Sequence, residues 1–229
     1  MPRLPRSLVL DPGLAFHKTW RGHNREWNLD ASDEKLAYLE MLNEELVKQN
    51  SPLHALCLMS SHSHEIYCLE DLLAFSGFMR RHHGRYGQFF NQKHHRCGKV
   101  AQDRPKTSAI GDETHEMTVT FYIHANPLRA KIVRNPKNYP WSTHKLYAFG
   151  TRASWMRNIR FPQWYLDLGK TWDERRRRYR QLFDAYLREF GLLRQTFSIY
   201  GIGDLRWRNA RRELILARLR NARTATSPP

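Results

Sequence analysis

The chain has only three cysteines, Cys57, Cys68 and Cys97, an odd number with no C-x-x-C spacing. That excludes a disulfide framework and the common zinc frames, and it fits reduced thiols in a reducing compartment. No stretch reaches the roughly 18 uncharged apolar residues that a membrane-spanning helix needs, so a membrane span is excluded. Met1-Pro2-Arg3-Leu4-Pro5-Arg6 leads into a short apolar patch cut by Asp11-Pro12-Gly13, without the long apolar core or small-residue cleavage site of a secretory leader, and the expected location is the cytoplasm. There is no internal repeat and no extended low-complexity run. Acidic residues are scarce as well: 22 Asp+Glu stand against 38 Lys+Arg, which leaves +16 and a pI near 10.2.

A surface this basic repels itself unless a polyanion shares it, so nucleic acid is the first partner to consider. Hydrophobic residues at 41% with 12% aromatics are too many for a disordered basic tail. A length of 229 residues suits one folded domain with an appendage. Leu14 to Trp20 alternates loosely after a Pro-Gly turn and predicts a first strand, followed by an Arg21-Gly22-His23-Asn24-Arg25 loop. Leu36, Leu39, Leu42 and Leu46 recur at helical spacing after Ser32-Asp33-Glu34 and predict a helix. Leu53 to Met59 and His62 to Leu69 read as a hairpin around Ser60-Ser61. Asp71 to His95 reads as a helix broken near Gly84 or Gly87, Arg96 to Asp112 as a loop, and Glu113 to Val133 as a helix interrupted at Asn126-Pro127. From Thr151 onward 18 Lys+Arg face 7 Asp+Glu, with helices expected over Trp172 to Phe190 and Leu205 to Arg220 and fraying over Thr224 to Pro229. The expected division is residues 1–150 as the main domain and 151–229 as a basic helical extension.

His62-Ser63-His64 carries the sharpest chemical signal, because histidines two apart on a strand project from one face and can bind one metal ion. A chain with 12 histidines also produces such a pair by chance. Tyr122 and Asn126 are four apart on a helical stretch and share a face. A phenol is a competent nucleophile toward phosphorus, and an amide oxygen is an acceptable third ligand for a hard divalent cation. By themselves a half-buried core tyrosine and a helix-end asparagine account for the same two residues. His82-His83, His94-His95 and Cys97 lack a frame that would organise a zinc site.

Taken together these segments resemble the single-tyrosine HUH (His-hydrophobic-His) nucleases, and within them the REP-associated tyrosine transposases and their insertion-sequence relatives. The resemblance spans roughly residues 1–147 and rests on Met1 to Arg6, Arg21 to Arg25, His62-Ser63-His64, Phe90-Asn91, Arg96-Cys97-Gly98, Tyr122, Asn126-Pro127-Leu128-Arg129-Ala130 and Tyr139-Pro140-Trp141-Ser142. It implies an α/β fold with a ferredoxin-like (RRM-like) antiparallel sheet and flanking helices. It also implies a transposase that cleaves and rejoins single-stranded or hairpin DNA through a 5′-phosphotyrosine link. Carried over by position, Tyr122 is the nucleophile, and His62, His64 and Asn126 are ligands of a divalent metal, Mg²⁺ or Mn²⁺. No nucleotide cofactor is implied.

The resemblance also makes Arg3, Arg6, Arg21, His23, Asn24 and Arg25 the expected DNA-reading residues; outside it, the C-terminal arginines with interleaved Trp172, Tyr179 and Trp207 read from composition as further contacts. Single arginines in so basic a protein can equally be solvated or bind phosphate without sequence choice. The chain departs from the family pattern at Ser61, Ser63 and Glu65, where Asn, an apolar residue and another apolar residue are usual, and Glu65 reads as a solvated edge residue. These departures keep open a domesticated DNA-binding module of the same fold without cleavage. A third reading is an RNA-binding protein, which would show exposed aromatics rather than histidines on its strands. Both a homodimer and a monomer occur among the family's relatives.

Overall fold

The computed structural model describes residues 4–48, 52–68, 70–190 and 197–224. A short helix α1 (Arg6–Val9) precedes β1 (Ala15–Arg21), α2 (Ser32–Val47), β2 (Leu53–Leu58), β3 (His62–Cys68), α3 (Leu72–Lys93) and β4 (Lys106–Ala109). The strands form one sheet in the order β2-β3-β1-β4 with antiparallel neighbours throughout, the ferredoxin-like arrangement. α4 (Glu113–His124), α5 (Asn126–Arg129), α6 (His144–Phe149), α7 (Gln163–Leu166), α8 (Trp172–Phe190) and α9 (Leu205–Thr224) follow. No helix among the described residues is long and apolar enough to cross a membrane.

Two segments differ from their sequence expectations. α3 runs unbroken through Gly84 and Gly87. Asp71 caps it by accepting from the backbone N–H of Leu73 and Ala74, and Phe75, Phe78, Met79, Tyr86 and Phe90 bury one face against the sheet. Packing of that stripe outweighs the roughly 1 kcal/mol that each interior glycine costs. The stretch expected as a loop holds β4, a four-residue edge strand paired on one side with β1. Its polar Lys106-Thr107-Ser108 has no apolar alternation to betray it. The break at Asn126-Pro127 falls as expected, α4 ending at His124 and Pro127 sitting in the first turn of α5.

Both faces of the sheet are covered, so its central strands are buried almost end to end. On one face Phe16, Trp20 and Tyr67 meet Tyr38 of α2 and Phe75, Phe78 and Tyr86 of α3. This face also holds a buried ion pair. Lys18 Nζ donates to Glu65 Oε1 at 2.8 Å, to Glu65 Oε2 at 2.9 Å and to Tyr38 Oη at 3.0 Å, with His83 Nε2 at 3.1 Å. Ser63, Tyr38 and Tyr67 each donate a hydroxyl to Glu65. Burial pushes the Glu65 carboxyl up, but Lys18 and the hydroxyls more than offset it and hold it below the usual range. Burial pulls Lys18 down, and Glu65 only partly restores it. Glu65 is therefore not a solvated edge residue: β3 lies inside the sheet, and its odd-numbered side chains point into this core.

The other face packs against α4, α6, α7 and α8, with Phe121, Tyr147, Trp164, Tyr179 and Phe183 in one aromatic core with Ala55, Cys57 and Ile66. The segment after residue 150 thus shares a core with the segment before it. Tyr179 is fully buried there, its hydroxyl 2.6 Å from Nδ1 of His124, and is not available to DNA. Burial has priority over its place beside four arginines because it lies on the inward stripe of α8 with Phe183 and Tyr186. α9 folds back along the N-terminal segment, where Arg211 and Arg218 both pair with Asp11. Of the end expected to fray, Thr224 is the last residue of α9 and residues 225–229 lie outside the described residues.

Candidate active site

The even-numbered residues of β3, His62 and His64, face α4. The β1–β3 register sets Thr19 opposite His64 and Arg21 opposite His62, so the histidine pair and Arg21 lie at one end of the central strands. α4 crosses above them with the Tyr122 ring 5.7 Å from that of His64, edge to face. Asn126 begins the next short helix and keeps its relation to Tyr122, its Nδ2 donating to the carbonyls of Tyr122 (3.2 Å) and Ile123 (3.4 Å). Its amide hydrogens are thereby spent on backbone, and the oxygen is the atom left for the cavity that Asn126 lines.

That cavity, about 430 Å³, brings together His62, His64, Tyr122 and Asn126 with three arginines, Arg21, Arg25 and Arg129. Of the residues expected to read DNA, Arg21 and Arg25 reach it. His23 and Asn24 form the turn beside it, where Asn24 (φ 49°) and Arg25 (φ 63°) adopt the left-handed region and are exposed. The turn is pinned from both sides. Gly22 N–H donates to Ser61 O and His23 N–H to Val100 O, while the buried Asn28 donates to Val100 O. A Cβ on Gly22 would lie 2.6 Å from Glu26 O and 2.7 Å from the Asn28 amide, so only glycine fits. Arg6 is elsewhere, its guanidinium 5.9 Å over the Phe75 ring on the α3 side of the sheet. Arg3 lies outside the described residues.

Sequence reasoning missed two residues here. His17, on β1, places Nε2 2.9 Å from Nδ1 of His64, with the two rings stacked at 5.1 Å. Only the β1–β3 register shows that it neighbours His64; in the sequence the signal is the alternation His17, Thr19, Arg21. Arg129 places its guanidinium 4.2 Å over the Tyr122 ring, donates to the Tyr122 carbonyl at 2.7 Å and to the Tyr186 hydroxyl at 3.0 Å. It is seven residues beyond Tyr122, two helical turns, which is the signal that could have found it. Phe197 packs edge-on against Tyr122 at 4.9 Å and against His17 at 4.7 Å.

The donor chemistry fits a divalent cation. Nδ1 of His64 is engaged by His17 and Nδ1 of His62 lies 3.1 Å from Ser61 Oγ, the outer support that metal-binding imidazoles take. Burial, then the charges of His17, His62, Arg21 and Arg129, hold His64 well below the usual histidine value, and burial pulls His17 down to about 3. Both rings are neutral at physiological pH, the form that binds metal. Among the described residues no three His, Cys, Asp or Glu side chains group as a metal site, and the Asn126 oxygen is a further donor on the same cavity wall as the histidine pair. Of the departures noted in the sequence, Ser61 supports His62, and Ser63 and Glu65 point away into the Lys18 core; none removes a donor from the cavity.

No protein-family model and no curated protein matches the chain. Among solved structures it is similar to a REP-associated tyrosine transposase bound to a REP hairpin, at 20% identity and a TM-score of 0.55, over 67% of this chain and 89% of that chain. The chain has the fold of that transposase.

Proposed function

We propose that the protein is a metal-dependent tyrosine endonuclease and strand transferase on single-stranded or hairpin DNA. The observation that supports this best is the convergence of a histidine pair, an amide oxygen and a tyrosine in one cavity walled by three arginines, on a transposase fold. Fold alone would leave the activity open; the residue set narrows it to transfer at phosphorus. The arginines supply positive charge where a phosphodiester has to sit.

In this reading His62, His64 and Asn126 hold Mg²⁺ or Mn²⁺, which when bound polarises the scissile phosphate. The Tyr122 phenol oxygen attacks phosphorus and gives up its proton to water, and water returns one proton to the leaving 3′ oxygen, so that none is gained or lost overall. The Tyr–O–P bond forms and the P–O3′ bond breaks, the 3′ oxygen departing as a hydroxyl once protonated. The 5′-phosphotyrosine keeps the energy of the broken bond for rejoining, so no nucleotide cofactor is required. Arg129 holds the Tyr122 ring from one face and Phe197 from its edge, which limits the phenol to a narrow range of approach.

The test is incubation with single-stranded DNA from the flanks of the gene, with Mg²⁺ or Mn²⁺ and with EDTA, read as a covalent protein–DNA species on a denaturing gel. A metal-dependent adduct that disappears in Tyr122→Phe is expected. Tight binding without any adduct would overturn the nuclease reading and leave a DNA-binding module.

A further inference from the structure

We infer that the protein carries a second nucleic-acid site, sharing no lining residue with the Tyr122 cavity, that takes one nucleotide of a single-stranded DNA segment. The site is a cavity of about 410 Å³ among α6, the 150–161 segment, α7 and the start of α8. It rests on the reading that the chain acts on DNA, and adds to it a place where the strand is held outside the reacting centre.

Its floor is aromatic. Phe161 stacks on the buried Tyr165 at 4.6 Å with 17° between planes, and Trp172 lies 5.5 Å from Phe161. Trp172 is 47% exposed, unusual for a tryptophan that lines a cavity. Its ring is held from one side by the Arg175 guanidinium at 4.8 Å, and Arg175 is itself tied to Leu166 O at 2.8 Å. An indole fixed in this way and left open to solvent is a surface on which a base can stack.

Its walls are cationic. Among the described residues Arg152, Arg160 and Arg176 line the cavity and no carboxylate does. Among the described residues the Arg160 side chain makes no hydrogen bond or ion pair, Arg152 donates only to Met156 O, and Arg176 reaches only the nearly fully exposed Asp173 at 3.1 Å. The Arg176 guanidinium lies against Gly150, whose left-handed backbone (φ 72°) and missing side chain make the room: a Cβ there would meet it at 2.4 Å. Three arginines with so little anionic partnership beside an open aromatic floor match a nucleotide, whose base is stacked and whose phosphates are charged. The volume falls within the range of small-molecule sites.

Fluorescence anisotropy with a labelled single-stranded oligonucleotide, titrated over a salt series, tests this in the full chain. The pair Arg160→Glu with Arg176→Glu should make the slope of log affinity against log salt shallower by about 1.4, two phosphate contacts at ~0.7 each. Trp172→Ala should weaken binding at least about fivefold, the low end for a lost base stack, and Trp172→Phe should restore most of it. Arg177→Glu with Arg178→Glu makes the same charge change at exposed positions of the same helix and should do much less. Equal effects from the two arginine pairs would overturn the proposal in favour of diffuse charge. So would an iodouracil photocrosslink on the unmodified protein that maps away from Trp172 and Phe161, a readout that stands even if a variant misfolds. Tighter binding of the equivalent RNA would overturn the assignment to DNA. The adduct assay separates this from the nuclease reading: Trp172-dependent binding without any adduct sinks only the latter, and an adduct with Trp172-independent binding sinks only the former.

Discussion

Replacing Lys18 by methionine keeps much of the side-chain length and removes the cation that Glu65 depends on. Lys18 and Glu65 are both at 0% exposure, and Lys18 contributes the two contacts at 2.8 and 2.9 Å. The hydroxyls of Ser63, Tyr38 and Tyr67 would remain, but no charge would. Breaking a buried pair from one side costs about 3–5 kcal/mol, because the surviving ion cannot be rehydrated. With a urea dependence of about 3 kcal/mol/M, the midpoint of unfolding should fall by roughly 1–1.7 M. Removing both partners with Lys18→Met and Glu65→Leu should recover most of this, since a well-packed apolar replacement of a buried pair is often near neutral. Acid provides a second check. The Glu65 carboxyl is held below its ordinary 4.5, so the pair's stabilisation is complete above that value and is lost as the pH falls through the lowered one. In Lys18→Met the buried carboxyl gains from protonation, so the deficit against the unmodified protein should shrink on acidification. A midpoint within about 0.3 M of the unmodified protein, or a double variant as unstable as the single one, would refute the account of this core.

Three further outcomes follow from the cavity. His17→Ala takes the partner from His64 Nδ1 and should lower Mn²⁺ affinity roughly 10- to 100-fold by calorimetry with little change in melting; unchanged affinity would mean that His17 does not support the metal pair. Arg129→Ala removes the cation from the Tyr122 ring and two hydrogen bonds, and the initial rate of adduct formation should fall at least about tenfold, with Arg129→Lys only partly restoring it. Arg21→Ala and Arg25→Ala should each make the salt dependence of single-stranded DNA binding shallower by about 0.7, and no change in slope would place the strand elsewhere.

The helices with strong periodicity and the hairpin carrying the histidine pair were readable from residue spacing, because spacing is what positions them. The pairing of His64 with His17 was not. It depends on which strand lies beside which, a relation set by sheet order across a separation of 47 positions rather than by anything local. The same holds for Glu65. A carboxylate beside a histidine pair looks solvent-facing until Lys18 is found directly across the strand pair. β4 is not legible because an edge strand of polar residues has no amphipathic signature, and Tyr179 stands beside four arginines in sequence while it belongs to the inward stripe of α8. Arg129 stood inside a recognised motif, yet its place over the Tyr122 ring is a matter of rotamer and packing. The placement of Tyr122 and Asn126 on one side of a kinked helix was legible, since a four-residue interval survives the proline break.

The hydrogen bond between Tyr179 and His124 sets a lower limit on how small a working unit cut from this chain can be. His124 is two residues beyond Tyr122, is fully buried, and divides its ring nitrogens between Tyr179 at 2.6 Å and Thr143 at 2.7 Å. A fragment ending at residue 150 would contain every residue of the cavity around Tyr122 and still strand one of those nitrogens inside an opened aromatic core. The motif residues around the cavity therefore stop well short of the segment that holds the helix of Tyr122 in register. Any minimal or chimaeric version has to bring its own equivalent of α8.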